Sequence, residues 1–165
     1  IKSDLVLCAK FRKGHFEGVL DVMDRLINLV SPNKIFMGEK DYQQYHLVKK
    51  FIKYRYKTKI VMCSTVRSAN KIALSSRNFS LNKNYLLTAG KIVKELLKTK
   101  EKISRVTNVV KYLDSIKKYL TIKYKIKIQY LELRNINSLK KTNTLKNSKI
   151  FIAFYINKVR LIDNL

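Results

Sequence analysis

Apolar positions in the first half of the chain alternate between two spacings. Val19, Met23, Leu26, Ile27 and Val30 recur at helical intervals, which predicts a helix over Phe16 to Val30 with that face buried. Ser31-Pro32-Asn33 ends it. Ile35-Phe36-Met37 predicts a short strand from Lys34 to Met37, Tyr42 to Arg55 a second helix, and Lys59 to Cys63 a second strand. Upstream, Leu5-Val6-Leu7 suggests a strand near Asp4 to Cys8, entered partway through a fold, then a loop through Phe11-Arg12-Lys13-Gly14-His15. Strands alternating with helices imply βαβ units and a parallel sheet.

The spacing changes after Asn78. Leu81-Asn82 has the form of a hydrophobic staple and N-cap opening a helix to about Lys98. Val106, Val109, Val110, Leu113 and Ile116 form the apolar stripe of a second helix over Ile103 to Leu120. Three β-rich pieces follow, Ile126 to Leu133, Lys149 to Ile156 and Val159 to Ile162, with a Lys/Asn/Thr-rich loop over Asn137 to Ser148. Helices and then strands, without βαβ alternation, predict a small α+β domain. The expected division is residues 1–79 and 80–165.

At 165 residues the chain has room for one or two domains, and 46% apolar content excludes a disordered chain. Lys and Arg total 36 against 11 Asp and Glu, a net charge of +25 that invites a polyanion-binding reading. Against it, the lysines lie scattered around the predicted helices among abundant Ile, Asn and Tyr. That scatter favours compositional bias and a solvated face. Most tyrosines fall at apolar-periodic positions and suit core use. Cys8 and Cys63 sit in apolar contexts without CxxC spacing, so both are expected to be reduced core residues of a cytoplasmic protein. No stretch approaches a membrane span and no signal peptide is read; the chain begins with Ile, so the natural N-terminus is expected upstream.

The candidate chemistry lies in the connections. GEKDYQQ, Gly38 to Gln44, follows the Ile35–Met37 strand and sets a cation, a carboxylate and amides at a sheet edge, where open α/β sheets bind ligands. Lys40 is a candidate phosphate ligand, its competing role that of a solvated turn lysine. Asp41 is suited to a ribose hydroxyl, to orienting Lys40, or to capping the next helix. Of Gln43 and Gln44, one is expected to hold a carboxylate or hydroxyl and the other to be exposed surface; His46 is expected at the surface. In ALSSRN, the hydroxyls of Ser75 and Ser76 with Arg77 suit an anion cradle. Arg12 and His15, flanking Gly14, are a second candidate anion pair. With no metal cluster, Cys/His dyad or hydrolase-spaced carboxylate pair in the string, positioning and charge stabilisation of a phosphoryl-bearing species fit best.

These strings, in this order, resemble the pantothenate synthetase (pantoate–β-alanine ligase) family over essentially the whole chain. FRKGHFEGV, GEKDYQQ, TVRSANKIALSSRN, IQYLELRN and VRLIDN each match a family segment in register. The resemblance implies the C-terminal part of a Rossmann-like nucleotidyltransferase domain of the HIGH superfamily, followed by a small closing α+β domain. It implies an ATP- and Mg²⁺-dependent ligase that makes pantoyl adenylate and then pantothenate and works as a homodimer; with no span and scattered lysines, no membrane partner is expected and a nucleic-acid partner is disfavoured. Carried over by position, Gly38, Glu39, Lys40, Asp41, Val66, Leu74, Ser75, Ser76 and Arg77 line the ATP site, with Lys40 and the Ser-Ser-Arg run on the phosphates. Gln44 holds pantoate, and Arg12 and His15 fall near the substrate pocket.

The departures are specific. The family's His-x-Gly-His sequence, a further substrate-binding glutamine and the acidic magnesium region have no counterpart here, so the Mg²⁺ ligands are expected outside this chain and the chain alone is expected to be inactive. Leu74 replaces a common Met, the Tyr54–Lys59 linker is one residue short, and Asn70-Lys71-Ile72 replaces a glycine-bearing turn, which is expected to stiffen the Ser-Ser-Arg loop. Two other readings remain at this point: a basic nucleic-acid-binding module, and a non-catalytic remnant that retains weak ATP binding.

Overall fold

The structure, a computed structural model, describes residues 6–165. Contacts divide the chain into two compact units, Ile1–Thr65 and Val66–Leu165. The sequence-based division at 79/80 differs, because residues 66–79 make their contacts with the helices and sheet of the second unit.

In the first unit, Leu7–Phe11 forms a short helix, α1, where the sequence predicts a strand; Asp4 and Leu5 lie outside the described residues. A short apolar run fits either element, and periodicity cannot separate them. Helix α2, His15–Val30, starts after Gly14, whose φ of 73° lies in the left-handed region. It stops at Ser31, also left-handed, whose N–H donates to Ile27 O at 2.8 Å; Pro32 then blocks continuation. Strand β1 (Lys34–Gly38), helix α3 (Tyr42–Ile52) and strand β2 (Lys59–Cys63) form the expected βαβ unit, with β1 and β2 parallel and in register from Lys34/Lys59 to Gly38/Cys63.

Leu20, Ile27, Val48 and Ile52 centre the core between the helices and the sheet, joined by Val19, Met23, Ile35, Met37 and Ile60. Leu26 and Val30, placed on the buried face of α2 by spacing, are instead exposed, together with Val22 and Leu29. Phe36 points away from the helices and is 66% exposed. Cys8 is buried as expected, but Cys63 ends β2 and is exposed. Tyr56 ties the chain after α3 back to α2, donating to Asp24 Oδ1 at 2.6 Å and accepting from Asn28 Nδ2 at 2.9 Å.

The second unit packs two helices on a three-stranded antiparallel meander in the order β3–β4–β5: Lys127–Asn135, Ser148–Ile156 and Val159–Asn164. Helix α4, Lys83–Lys102, is capped by Asn82, whose Oδ1 accepts from Tyr85 N at 2.9 Å; Leu81 beside it is buried. The next helix, α5, runs Val109–Tyr124 rather than starting at Ile103: a 3₁₀ turn occupies Ile103–Arg105, and Asn108 Oδ1 caps the helix by accepting from Lys111 N. Val106 consequently lies before the helix. Ala89, Ile92, Leu96, Leu113, Leu120, Ile150, Ile152 and Phe154 are almost fully enclosed in the core. Burying large side chains of this kind contributes roughly 1.5–3 kcal/mol each before chain entropy is counted. Of the tyrosines, Tyr42, Tyr45 and Tyr130 are buried, whereas Tyr54, Tyr85 and Tyr119 are exposed.

Before α4, residues 66–74 fold back as a narrow hairpin. Leu74 N donates to Val66 O, Ser68 N donates to Ile72 O, and Arg67 and Ala73 form an antiparallel bridge. Lys71 takes the turn at a φ of 72° without being glycine. The tip rests on α4: Asn70 Nδ2 donates to Leu86 O at 3.1 Å, and a Cβ added to Gly90 would lie 2.9 Å from Asn70 O. Gly90 therefore permits a backbone-to-backbone approach that no side chain would. Gly90→Ala is expected to destabilise the protein by about 1–3 kcal/mol through overpacking, measured by urea unfolding, with no loss of helical circular dichroism before the transition.

Candidate functional site

Three groups of candidate residues take defined shapes in the structure. In the first unit, β1 ends at Gly38, a 3₁₀ turn covers Glu39–Asp41, and α3 begins at Tyr42. Gly38 is extended (φ −69°), and a Cβ there would meet nothing within 4 Å, so the chain's own packing does not demand glycine. Its bare backbone leaves the strand end open to approach.

Lys40 is not a solvated turn lysine. Its side chain is only 17% exposed, and Nζ lies 3.4 Å from Asp41 Oδ2. Asp41 occupies the N-cap position of α3, yet its side chain makes no capping hydrogen bond there. The carboxylate faces Lys40 instead. Burial, then the neighbouring Tyr45 and the Glu39 charge, pushes the Tyr42 phenol above its usual range, so it stays neutral beside this turn.

The two glutamines divide their roles in a way the sequence leaves open. Gln43 is buried: its Oε1 accepts from Cys8 N at 2.9 Å and its Nε2 donates to Val6 O at 2.8 Å. It is a clasp for the chain entering α1, not exposed surface. Gln44, one step further round the helix, is half-buried and points elsewhere. His46 is half-buried rather than on the open surface. Arg12 and His15 do meet: Arg12 Nη1 donates to His15 Nε2 at 2.6 Å, which leaves Nδ1 to carry the imidazole proton.

In the second unit, the hairpin places Val66 and Leu74 side by side, 67% and 52% exposed, as an apolar pair immediately before the Ser-Ser-Arg run. Ser75 is extended and caps a 3₁₀ turn over Ser76–Ser80; its Oγ accepts from Arg77 N at 3.3 Å and its carbonyl from Asn78 N at 3.0 Å. Asn78 Nδ2 donates to Ala73 O, pinning the base of the turn. Ser76 and Arg77 are exposed. Hydroxyls and a guanidinium are thus presented outward from a turn whose backbone is held from within.

Sequence reasoning assigned no task to Arg67 or Asp163. They form a bidentate ion pair, Nη1 to Oδ2 at 2.7 Å and Nη2 to Oδ1 at 2.9 Å, and Arg67 also donates to the Lys71 and Asn164 carbonyls. Their presence in TVRSANK and VRLIDN was the available signal; their pairing across 96 positions was not. Among the described residues no group of three or more His, Cys, Asp or Glu side chains is arranged to hold a metal ion.

A βαβ unit with an ammonium just after its first strand, followed by a helix–meander unit with hydroxyls and a guanidinium on an exposed turn, defines an α/β protein. The family model described as Pantoate-beta-alanine ligase matches residues 2–165, and the chain belongs to that family. Pantothenate synthetase of Leptospira interrogans is 39% identical over 162 residues, covering 96% of this chain and 57% of the relative. That of Francisella tularensis subsp. novicida is 36% identical over 162 residues, covering 96% of this chain and 53% of the relative. The chain therefore spans little more than half the length of these curated relatives. Its fold matches a pantothenate synthetase crystal structure from Thermus thermophilus with a TM-score of 0.89 at 29% identity, over 98% of this chain and 59% of that one. A Francisella tularensis pantoate-beta-alanine ligase structure, described as complexed with beta-gamma ATP and beta-alanine, matches at a TM-score of 0.73 and 35% identity, over 100% of this chain and 55% of that one.

The division between the glutamines is directly checkable. Gln43→Leu strands the Cys8 N–H and the Val6 carbonyl and is expected to cost about 1–3 kcal/mol of stability. Gln44→Leu is expected to stay within about 0.5 kcal/mol of the parent. Chemical denaturation of the two variants side by side separates them.

Proposed function

We propose that this chain forms part of an ATP-dependent ligase that joins pantoate to β-alanine. A pantoate carboxylate oxygen attacks the α-phosphorus of ATP, the bond to pyrophosphate breaks, and pantoyl adenylate forms. The β-alanine amine then attacks the acyl carbon, AMP departs, the amine loses a proton, and pantothenate results. Lys40 and Arg77 offset phosphate charge as it shifts towards pyrophosphate, with the Ser75 and Ser76 hydroxyls donating to phosphate oxygens. Gly38, Glu39 and Asp41 complete the ATP-contacting turn, Val66 and Leu74 supply apolar contact to the nucleotide, and Gln44 holds pantoate. Arg12 and His15 act at the substrate pocket as a hydrogen-bonded pair.

The single observation that carries this reading is the enclosed Lys40 ammonium, set directly after the carboxyl end of a parallel strand. An ammonium held largely out of water at a strand's carboxyl end is placed where open α/β sheets receive anionic ligands. Family membership supplies the identity of the substrates. The described residues do not present a fitting Mg²⁺ cluster, and the roles given to this chain do not include metal ligation. A homodimer and a cytoplasmic location complete the proposal.

The chain alone is expected to form no pantothenate from pantoate, β-alanine and ATP, because it spans little more than half the length of its relatives; turnover by this chain alone would contradict that expectation. In a protein completed with the remaining family length, Lys40→Ala should slow adenylate formation by on the order of 10²-fold, as loss of a preorganised charge contact does. Single-turnover release of pyrophosphate measures it, and a change below about threefold would remove Lys40 from its assigned role.

A further inference from the structure

The hairpin over residues 66–74 carries the apolar pair Val66 and Leu74 and runs straight into Ser75–Arg77, so whatever fixes the hairpin fixes the aim of that turn. Its Ile72 side chain is buried in the unit's core, and polar contacts hold it at two further places. At the tip, Asn70 hydrogen-bonds α4 and its carbonyl backs against Gly90. At the base, the Arg67 fork closes on Asp163 of β5.

The base contact has more at stake. Asp163 is 4% exposed and Arg67 22%, so both charges have largely left water and each depends on the other for compensation. Geometry is also fixed, because a planar guanidinium meeting both carboxylate oxygens allows one orientation. Asp163 is itself locked, its Oδ1 accepting from Asn164 N at 2.8 Å, and β5 is paired along its length with β4. Arg67 therefore transfers the rigidity of the meander to the hairpin, and the two further bonds to Lys71 O and Asn164 O spread that hold over the turn and the strand end.

We propose that Arg67 and Asp163 are positioning residues for the phosphate-directed turn: their ion pair anchors the 66–74 hairpin to the final strand and so presets Ser75, Ser76 and Arg77 for an anionic ligand. The inference deepens the ATP-site reading and rests on it for the identity of the ligand, but the anchoring itself is testable without ligand. Neither residue touches the ligand; each acts through the turn.

The test uses the full 165-residue chain, isotope-labelled, in three forms: wild type, Asp163→Asn and Arg67→Lys. The lysine keeps the charge, loses the fork, and serves if Asp163→Asn fails to fold. Amide exchange is followed at Leu74 and Asn78, whose N–H groups are bonded within the hairpin and the turn, and at core positions of α5 and β3. In parallel, ATP affinity is measured by calorimetry. The pair's loss should speed exchange at Leu74 and Asn78 by about tenfold while the core amides change less than about twofold, as a local opening does, and should weaken ATP binding by about tenfold as charge-assisted bonds are lost. Unchanged exchange at Leu74 and Asn78, or equal acceleration throughout α5 and β3, overturns the proposal. Accelerated exchange with unaltered ATP affinity in the variants overturns it as well. If the wild type shows no ATP binding while hairpin exchange responds as expected, the anchoring stands and the assignment of the turn to ATP falls.

Discussion

The second unit depends on one shared apolar layer, the face where α4 and α5 meet the β3–β4–β5 meander. Ile92, Leu96, Leu120 and Ile152 are fully enclosed there, and no single polar contact in the unit matches their summed burial. That layer makes β5 a fixed strand although it is the last element of the chain. Because β5 is fixed, a buried carboxylate on it can serve as an anchor, and Arg67 uses it to orient a hairpin that reaches the core through Ile72. Hydrophobic burial supplies stability and the ion pair supplies direction.

The first unit works by a different constraint. Parallel strands are usually covered on both faces. Here α2 and α3 cover one face of β1 and β2, while Phe36 on the other is largely exposed. What the pair delivers is placement. A strand running out at Gly38 puts Lys40 in the tight turn at the sheet's carboxyl edge, its side chain mostly out of water. The Gln43 clasp then fixes where the chain around Cys8 lies against the same helix.

Much of this was legible in the residues. The βαβ unit, the Asn82 cap, the three closing strands and the loop before β4 follow from spacing and turn chemistry. The misreadings have physical causes. The strand expected through Leu7 and Cys8 rested on three apolar residues in a row, which carry no period and fit either element. Leu26 and Val30 are exposed because α2 has two apolar stripes, and spacing cannot say which one meets the core. Helix α5 begins at Val109 and not Ile103 because Asn108, a good cap, outcompetes an apolar start. Within the candidate site, Lys40, Gln44 and the Ser-Ser-Arg run were visible as chemistry. The burial of Gln43, the Arg12–His15 bond and the Arg67–Asp163 pair required the fold, since each depends on contact and not on local pattern.

Each unit carries its own candidate for phosphate: the Lys40 turn in the first, and the hydroxyl–guanidinium turn after the hairpin in the second. The most direct measurement of that claim is a nuclear magnetic resonance titration of the labelled chain with a non-hydrolysable ATP analogue. The predicted result is saturable shifts at Lys40 and at Ser75, Ser76 and Arg77, displaced by pyrophosphate and persisting at moderate salt. Shifts spread over the scattered lysines, without saturation and abolished by salt, would contradict it and mark the charge of +25 as a general polyanion surface.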